Sequence, residues 1–261
     1  MNPALWISKT GLDAQQTRLS LISNNLANVN TTGFKRDQAI FQDLIYQNKR
    51  QAGGQITQDT RAPSGFSTGT GVRIVATQKL HTQGNLTQTG NALDMAILGR
   101  GFFQIQQSDG TTSYTRDGTF QIDANGQVVT SQGQFIQPSL TIPSDTQSIT
   151  IGQDGTVSVL TGNNTSPTQI GTVQLADFVN PAGLQPDGNN LFIETASSGS
   201  PITGTPGLTG LGTLESGAVE TSNVNVVEEL VNMIETQRAY EMNSKVISTA
   251  DQMLQYVSNN L

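Results

Sequence analysis

Apolar residues recur every seven positions at both ends of the chain. Near the start, Leu5, Leu12, Leu19 and Leu26 keep this spacing, with Ile22 and Val29 at intermediate positions. Ser8, Lys9, Gln15, Gln16, Thr17, Ser20 and Asn24 lie on the opposite face. Pro3 suits a first helical turn, where its missing N–H costs nothing. The spacing predicts a helix from Pro3 to about Val29, with a stripe narrow enough for a coiled-coil seam. At the other end, Val226, Met233, Tyr240, Ile247, Leu254 and Leu261 repeat the pattern, and Leu230, Ala250 and Val257 widen it. Asn225 followed by Glu228 has the spacing of a capping pair. Glu228 and Glu229 then fall in the first turn, where the helix dipole favours acids. A second helix is predicted from about Val226 to Tyr256, ~46 Å long at 1.5 Å per residue. A helix with one apolar stripe is marginal in water until the stripe is covered. The expected partners are the other terminal helix first, then copies of the chain.

The middle follows a different rule. Asp109-Gly110, Asp117-Gly118, Asn125-Gly126, Asp154-Gly155 and Asp187-Gly188 are turn dipeptides, because these residues tolerate positive φ. Between them, Phe102–Gln106, Thr119–Asp123, Gln127–Thr130, Ser148–Ile151, Thr156–Leu160, Gln169–Asp177 and Asn190–Glu194 read as strands. Short strands at regular intervals suggest an antiparallel sandwich or distorted barrel. No Gly-x-Gly-x-x-Gly strand-to-helix unit supports a dinucleotide-binding fold. Two stretches rich in Gly, Ser and Thr, Gln47–Gly71 and Ala196–Gly217, read as connecting segments. The expected class is α+β: terminal helices paired as a coiled-coil-like α domain, a central mainly antiparallel β domain, and extended linker arms. The boundaries are 1–35 for the N-terminal helix, 36–92 for the arm region including 47–71, 93–215 for the β domain, and 216–261 for the returning helix.

Composition narrows the chemistry. Ser, Thr, Asn and Gln supply 101 of 261 residues, whereas charged residues are 13%. Ile, Leu, Val and Phe make up roughly a quarter, enough to fold but with a modest core. With no cysteine, a disulfide framework, Cys-ligated zinc, an iron–sulfur cluster and a thiol nucleophile all fall away. A histidine metal site would need a companion to His81. The longest apolar runs, Ala4–Ile7 and Met95–Leu98, are four residues, so no membrane-spanning helix is expected. The start of the chain has neither a basic flank nor an apolar core of the secretory kind. Net charge is +3 over residues 1–36, −6 over 37–219 and −4 over 220–261. No basic stripe tracks a phosphate backbone, which argues against nucleic-acid binding. Opposite signs favour a meeting of the two ends, within or between subunits.

Candidate catalytic groups are few. His81 lacks a Gly-x-Ser-x-Gly elbow elsewhere in the chain and reads as a surface or turn histidine. Asp123-Ala-Asn125-Gly126 resembles the start of a calcium loop, but Gln134 stands where the twelfth-position Glu would be, so a turn is expected. Glu235 with Arg238 and Glu241 with Lys245 are helical surface pairs rather than catalytic carboxylates. No cofactor, metal or enzymatic activity is expected. The unusual run is Ser23–Lys35, with Asn24, Asn25 and Asn28 around the Leu26 stripe position. Asn is a mediocre helix former. Asn30 and Gly33 suit a helix exit. The amides are expected to hydrogen-bond between packed helices and fix register, with a long C-terminal cap as the alternative.

At this run the sequence becomes recognisable. Ser23–Lys35 (SNNLANVNTTGFK) resembles the N-terminal signature of the bacterial flagellar rod and hook family. Residues Glu220–Lys245 resemble its C-terminal signature, and Asp94–Gln104 (DMAILGRGFFQ) and Ser113–Phe120 (SYTRDGTF) are similar to its β-domain motifs. The likeness covers nearly the whole chain. At 261 residues the chain is short for a hook protein. The stretch 47–71 resembles the extra segment of distal rod subunits, with a proximal rod subunit as the nearest alternative.

The resemblance implies a structural subunit that polymerises helically into a hollow rod across the periplasm of the flagellar basal body. It implies type III export without a cleaved signal, terminal helices lining the tube and the β domain outside. The implied partners are further copies, the proximal rod proteins, the hook protein, the surrounding L and P rings and the export apparatus. The rod would pass motor torque to the hook. The expected assembly positions are Leu5, Leu12, Leu19, Ile22, Asn25, Leu26 and Asn28, with Val226, Leu230, Met233, Tyr240, Ile247 and Leu254. Gly53, Gly54, Pro63 and Gly65 mark a rod-specific arm, expected to be ordered and bracing rather than a floppy tether. From another class, a β-rich surface-binding or adhesin module would account for the centre but not for heptads at both ends. An enzyme dependent on His81 is more distant still.

Overall fold

Helix α1 spans Pro3–Ala27 and helix α2 spans Val226–Asn259. The computed structural model describes residues 3–53, 63–162 and 166–259. The two helices belong to one compact unit, made of Met1–Leu26, Asp37–Gln78 and Asn225–Leu261; the other comprises Ala27–Arg36 and Lys79–Val224. The predicted start of α2 holds. Asn225 Oδ1 accepts hydrogen bonds from the amides of Val227 (3.1 Å) and Glu228 (3.5 Å), satisfying donors that have no partner inside the helix. At 34 residues, α2 is about 51 Å long. Helix α1 stops at Ala27, short of Val29. Beyond it, Asn28 takes the Thr31 amide on its carbonyl (3.2 Å) and the Thr31 hydroxyl on its side chain (3.2 Å), a local alternative to helical bonding.

Within the first unit the chain also forms a two-stranded antiparallel ribbon. Strands β1 (Asp37–Asp43) and β2 (Gln47–Arg50) go out; β3 (Phe66–Thr68) and β4 (Val72–Lys79) return. β1 pairs with β4, and β2 with β3. The joint between the pairs is held by Leu44 N to Gly71 O (3.0 Å) and Thr70 Oγ1 to Ile45 O (2.7 Å). The stretch 47–71, rich in small polar residues, is therefore not merely a connection: it holds β2 and β3. The ribbon starts under α1. The Asn25 amide group donates to Asp37 O (2.9 Å) and accepts from Asp37 N (2.8 Å). The expected helix-to-helix amide bond is corrected here for Asn25, which pins the outgoing strand, because one carboxamide offers both a donor and an acceptor to the backbone of the strand's first residue.

The second unit is β-rich. Its strands are β5 (Leu86–Gln88), β6 (Met95–Leu98), β7 (Phe102–Gln106), β8 (Thr112–Thr115), β9 (Phe120–Ile122), β10 (Val128–Thr130), β11 (Phe135–Gln137), β12 (Thr146–Ile151), β13 (Thr156–Thr161), β14 (Thr168–Thr172), β15 (Leu175–Asp177), β16 (Gln185–Gly188), β17 (Leu191–Ile193), β18 (Ile202–Gly204), β19 (Thr213–Ser216) and β20 (Ala218–Glu220). The main sheet runs β16-β17-β8-β7-β11-β10-β9, and β15 joins it beside β7 and carries β18. A three-stranded sheet β12-β13-β14 and the pairs β6-β19 and β5-β20 complete it. The expected strand over Gln169–Asp177 divides into β14 and β15, which serve different sheets. The supposed connection Ala196–Gly217 is also corrected. It contains β18 and β19, and Leu211 and Leu214 are buried in the main core.

β7 is central, and its sequence says why. Phe102, Phe103, Gln104 and Ile105 are all buried, the continuous run of a strand covered on both faces. Alternation sends Phe103 and Ile105 into the large cluster with Met95, Ile97, Phe120 and Leu214, and Phe102 into a smaller one with Tyr114, Phe178, Leu184 and Phe192. His81 belongs beside the smaller cluster. Its ring lies 5.4 Å from Phe102 and 5.5 Å from Phe192, edge to face. Of the expected surface or turn histidine, the loop position between β4 and β5 is what the structure shows, but the ring is half-buried against this cluster rather than turned to solvent. Burial, then the charges of Lys35, Arg116 and Lys79, lower its pKa from 6.5 to about 4.

One turn device recurs three times. In Asp109-Gly-Thr111, Asp117-Gly-Thr119 and Asp154-Gly-Thr156, the Asp Oδ1 accepts both the Thr amide (2.9, 3.1 and 3.1 Å) and the Thr hydroxyl (2.6, 2.8 and 2.7 Å). These bonds, the hydroxyl's first, hold the Asp109 and Asp154 carboxyls below the usual range. The glycines serve different ends. Gly155 has φ +81°, whereas a Cβ at Gly118 would overlap the carbonyl oxygen of Met95.

Candidate assembly surface

Helices α1 and α2 come close at Gly11 and Asn243. The buried positions are Ser8, Ala14, Ile22 and Asn25 on α1, and Glu229, Thr236 and Ala250 on α2. A Cβ placed on Gly11 would sit 3.0 Å from Asn243 Nδ2, so this glycine marks a close approach. Glu229, Thr236, Asn243 and Ala250 are themselves spaced by seven. The hydroxyl of Thr236, 1% exposed, donates to Asn232 O at 2.6 Å, which satisfies it inside the helix that bears it. Ser8, assigned from the pattern to the solvent face, lies instead on the buried side. Small side chains let two helix backbones come close, and large aliphatic ones hold them apart.

The leucine stripes occupy a neighbouring face. Leu5, Leu12, Leu19 and Leu26 are half-buried, as are Met233 and Ile247. Val226, Leu230, Tyr240 and Leu254 are exposed, Leu254 by 48%. Further apolar side chains stand open along α2: Val227 (70%), Val231, Ile234, Met242, Val246, Met253, Tyr256 and Val257. Of the expected assembly positions, Ile22 and Asn25 are buried inside the unit, and Asn28 lies in the β unit, half-buried. The buried helix positions Ser8, Ala14, Glu229, Thr236 and Ala250, and the approach of Gly11 to Asn243, were not singled out. Gly11 was the available signal, since a mid-helix glycine costs about 1 kcal/mol against alanine and calls for a packing reason.

The ribbon is equally bare. Ile40, Phe41, Tyr46, Phe66 and Val75 are exposed, and Ile45 is 88% exposed. An isolated two-stranded ribbon is marginal in water. Gly53 sits near its tip with φ +79° and open space around it; Pro63 is exposed; a Cβ on Gly65 would press on Ala52 N and Arg50 O at 2.9 Å. Gly54 lies outside the described residues. Contiguous apolar surface of this extent marks an interaction face. Among the described residues, no group of acids and histidine could hold a metal ion, and no helix is long and apolar enough to cross a membrane.

Known proteins share this layout. Residues 6–35 match the family described as flagella basal body rod protein, 96–159 the flagellar hook protein FlgE/F/G D1 domain, and 215–261 the flagellar basal body rod FlgEFG protein C-terminal region. A flagellar basal-body rod protein FlgG from Buchnera aphidicola subsp. Acyrthosiphon pisum is 58% identical over 258 residues, 99% of each chain. Relatives of the same name from Agrobacterium fabrum and Borreliella burgdorferi are each 48% identical, over 99% and 100% of this chain and 99% of their own. With helix, β-rich centre and helix each matched in order, and whole-length identity of this size, the chain belongs to the flagellar basal-body rod protein family, as a structural subunit of the FlgG type.

Proposed function

We propose that the chain builds the distal rod of the flagellum as a helical homopolymer. In this reading α1 and α2 form the inner core around the export channel, and the β unit lies outside. The rod joins proximal rod proteins to the hook protein, turns inside the L and P rings and carries motor torque across the periplasm. Subunits reach its tip through the type III export apparatus, without a cleaved signal.

The observation that carries this is the division of labour on the helices. The small, polar seam holds the pair together within one subunit. The aliphatic positions Leu5, Leu12, Leu19, Leu26, Val226, Leu230, Met233, Tyr240, Ile247 and Leu254 are left half-open or open. Their burial against further copies supplies the association energy, at about 25 cal/mol per Å² of apolar surface. A head-to-tail contact that does not close gives a filament. The bare ribbon, with Gly53, Pro63 and Gly65 around its tip, braces neighbouring copies and stiffens the polymer.

Substituting Leu19→Asp or Leu254→Asp tests the reading. Leu254 is exposed in the single chain, so its replacement leaves the fold intact, as circular dichroism would report. Rod assembly, scored by electron microscopy of isolated basal bodies, should be lost. Normal rods built from either variant would overturn the role given to these faces.

A further inference from the structure

The β unit is made of two pieces of chain, Ala27–Arg36 and Lys79–Val224, so the chain enters and leaves it at four places. Three of them, at Arg36, Lys79 and Val224, lie within four residues of Glu220 and Asn223 or of their direct partners. The carboxylate of Glu220 is fully buried. Its Oε1 accepts from Lys35 Nζ (2.5 Å) and Gly84 N (2.8 Å), and its Oε2 from Arg116 Nη1 (3.2 Å). Its backbone carbonyl accepts the Gly33 amide (2.8 Å). Three residues on, Asn223 Oδ1 accepts the Arg36 amide (2.8 Å), and Nδ2 donates to Leu80 O (2.8 Å) and to the Thr82 hydroxyl (2.9 Å). The Leu80 amide returns to Arg36 O (2.9 Å). Lys35 Nζ meets Thr82 O at 2.8 Å, the carbonyl that Asn223 Nδ2 also reaches at 3.2 Å.

The charges are unequal. Lys35 and Arg116, with side chains 0% and 4% exposed, face one carboxylate. Carbonyls take further N–H groups, Thr82 from the lysine and Ile97 (3.4 Å) and Gly99 (2.6 Å) from the arginine, and the Asp177 carboxylate adds to the field on Arg116. The two cations precede Glu220 by 185 and 104 residues. The carboxylate they are buried against arrives only across these separations, and a buried cation without its counterion is strongly disfavoured. Both therefore stay hydrated until the tail bearing Glu220 arrives.

We propose that Glu220 and Asn223 form a single clasp on the strands at which the chain enters and leaves the β unit. The ties lock and release together, and they lock only once the C-terminal tail is in place.

Hydrogen exchange on the full chain tests this, comparing the parent with Glu220→Gln and Asn223→Ala. The Gly33 amide is the informative probe, because its acceptor is a backbone carbonyl that neither substitution removes. Asn223→Ala should raise exchange at Arg36, Leu80, Gly33 and Gly84 together, by about tenfold. Glu220→Gln should do so by roughly a hundredfold or more, while β12 and β13 keep their protection. Release of Arg36 and Leu80 alone in Asn223→Ala, with Gly33 and Gly84 unchanged, would mean two independent patches and end the proposal. That variant decides the matter even where Glu220→Gln does not fold. In pulse-labelled refolding of the parent, Gly33 and Gly84 should gain protection in the same phase as Thr221, whose amide bonds Asn85 O at 2.8 Å. Protection of Gly33 and Gly84 before Thr221 would equally reject the clasp.

Discussion

Acidification from neutrality toward about pH 4 should weaken the β unit through His81. Burial against Phe102 and Phe192, with Lys35, Arg116 and Lys79 nearby, lowers its pKa from 6.5 to about 4. Between those values the unfolded chain binds a proton that the folded chain refuses. The contribution is thus complete above the unfolded pKa and disappears as the pH falls to the folded one. A difference of ~2.5 pH units corresponds to about 3 kcal/mol, at roughly 1.4 kcal/mol per unit. The assay is native-state hydrogen exchange at the amides of β7, which report on the β unit alone. After correction for intrinsic rates, protection should fall by a factor on the order of 10² across this window. The His81 ring also donates to the Pro181 carbonyl; His81→Gln keeps a donor there but cannot titrate. Its protection should be nearly flat over the same range, and carboxylates common to both chains cancel in the comparison. If the two chains lost protection in parallel, His81 would not be the group that acid attacks.

Three further outcomes follow from the packing. Leu214→Ala should lower the stability of the β unit by about 2–5 kcal/mol, read by urea unfolding; a neutral result would return residues 196–217 to the status of a tether. Gly118→Ala should cost several kcal/mol, because the added carbon overlaps Met95 O, whereas alanine at Gly69, whose added carbon would meet Tyr46 at an ordinary 3.6 Å, should cost far less; thermal melts of the pair check the contrast. Deleting 47–71 should give a polymer that bends more easily, measured as persistence length in micrographs, and an equally stiff rod would reject the bracing role.

The helices were legible because periodicity is a local signal, and the Asn225 cap because its partners are two and three residues away. β7 was legible from the run Phe102–Gln106, and the turns from their Asp-Gly pairs. β19 was not. Its residues Thr-Leu-Glu-Ser sit between glycines, and its partner β6 lies more than a hundred residues upstream, so nothing nearby separates it from a linker. The helix seam was misassigned for a related reason. Size-based patterning follows large aliphatic residues, whereas close helix contact selects small ones such as Gly11. Nothing in the sequence around Lys35, Arg116 or Glu220 links the three. Their relation exists only after the chain has closed on itself, at separations that no window spans.

The clasp also makes the β unit modular. Because the entering and leaving strands are tied to each other by Glu220 and Asn223, and the clasp's own partners within the unit reach no further than Arg116, a loop beyond them can change size without altering how the chain is received and returned. Outer loops such as Ser131-Gln132-Gly133, exposed at the tip of the β10–β11 hairpin, become natural insertion points. A peptide tag or a small folded domain grafted there should leave the protected amides of the clasp, Gly33, Arg36, Leu80 and Gly84, as they are in the parent chain.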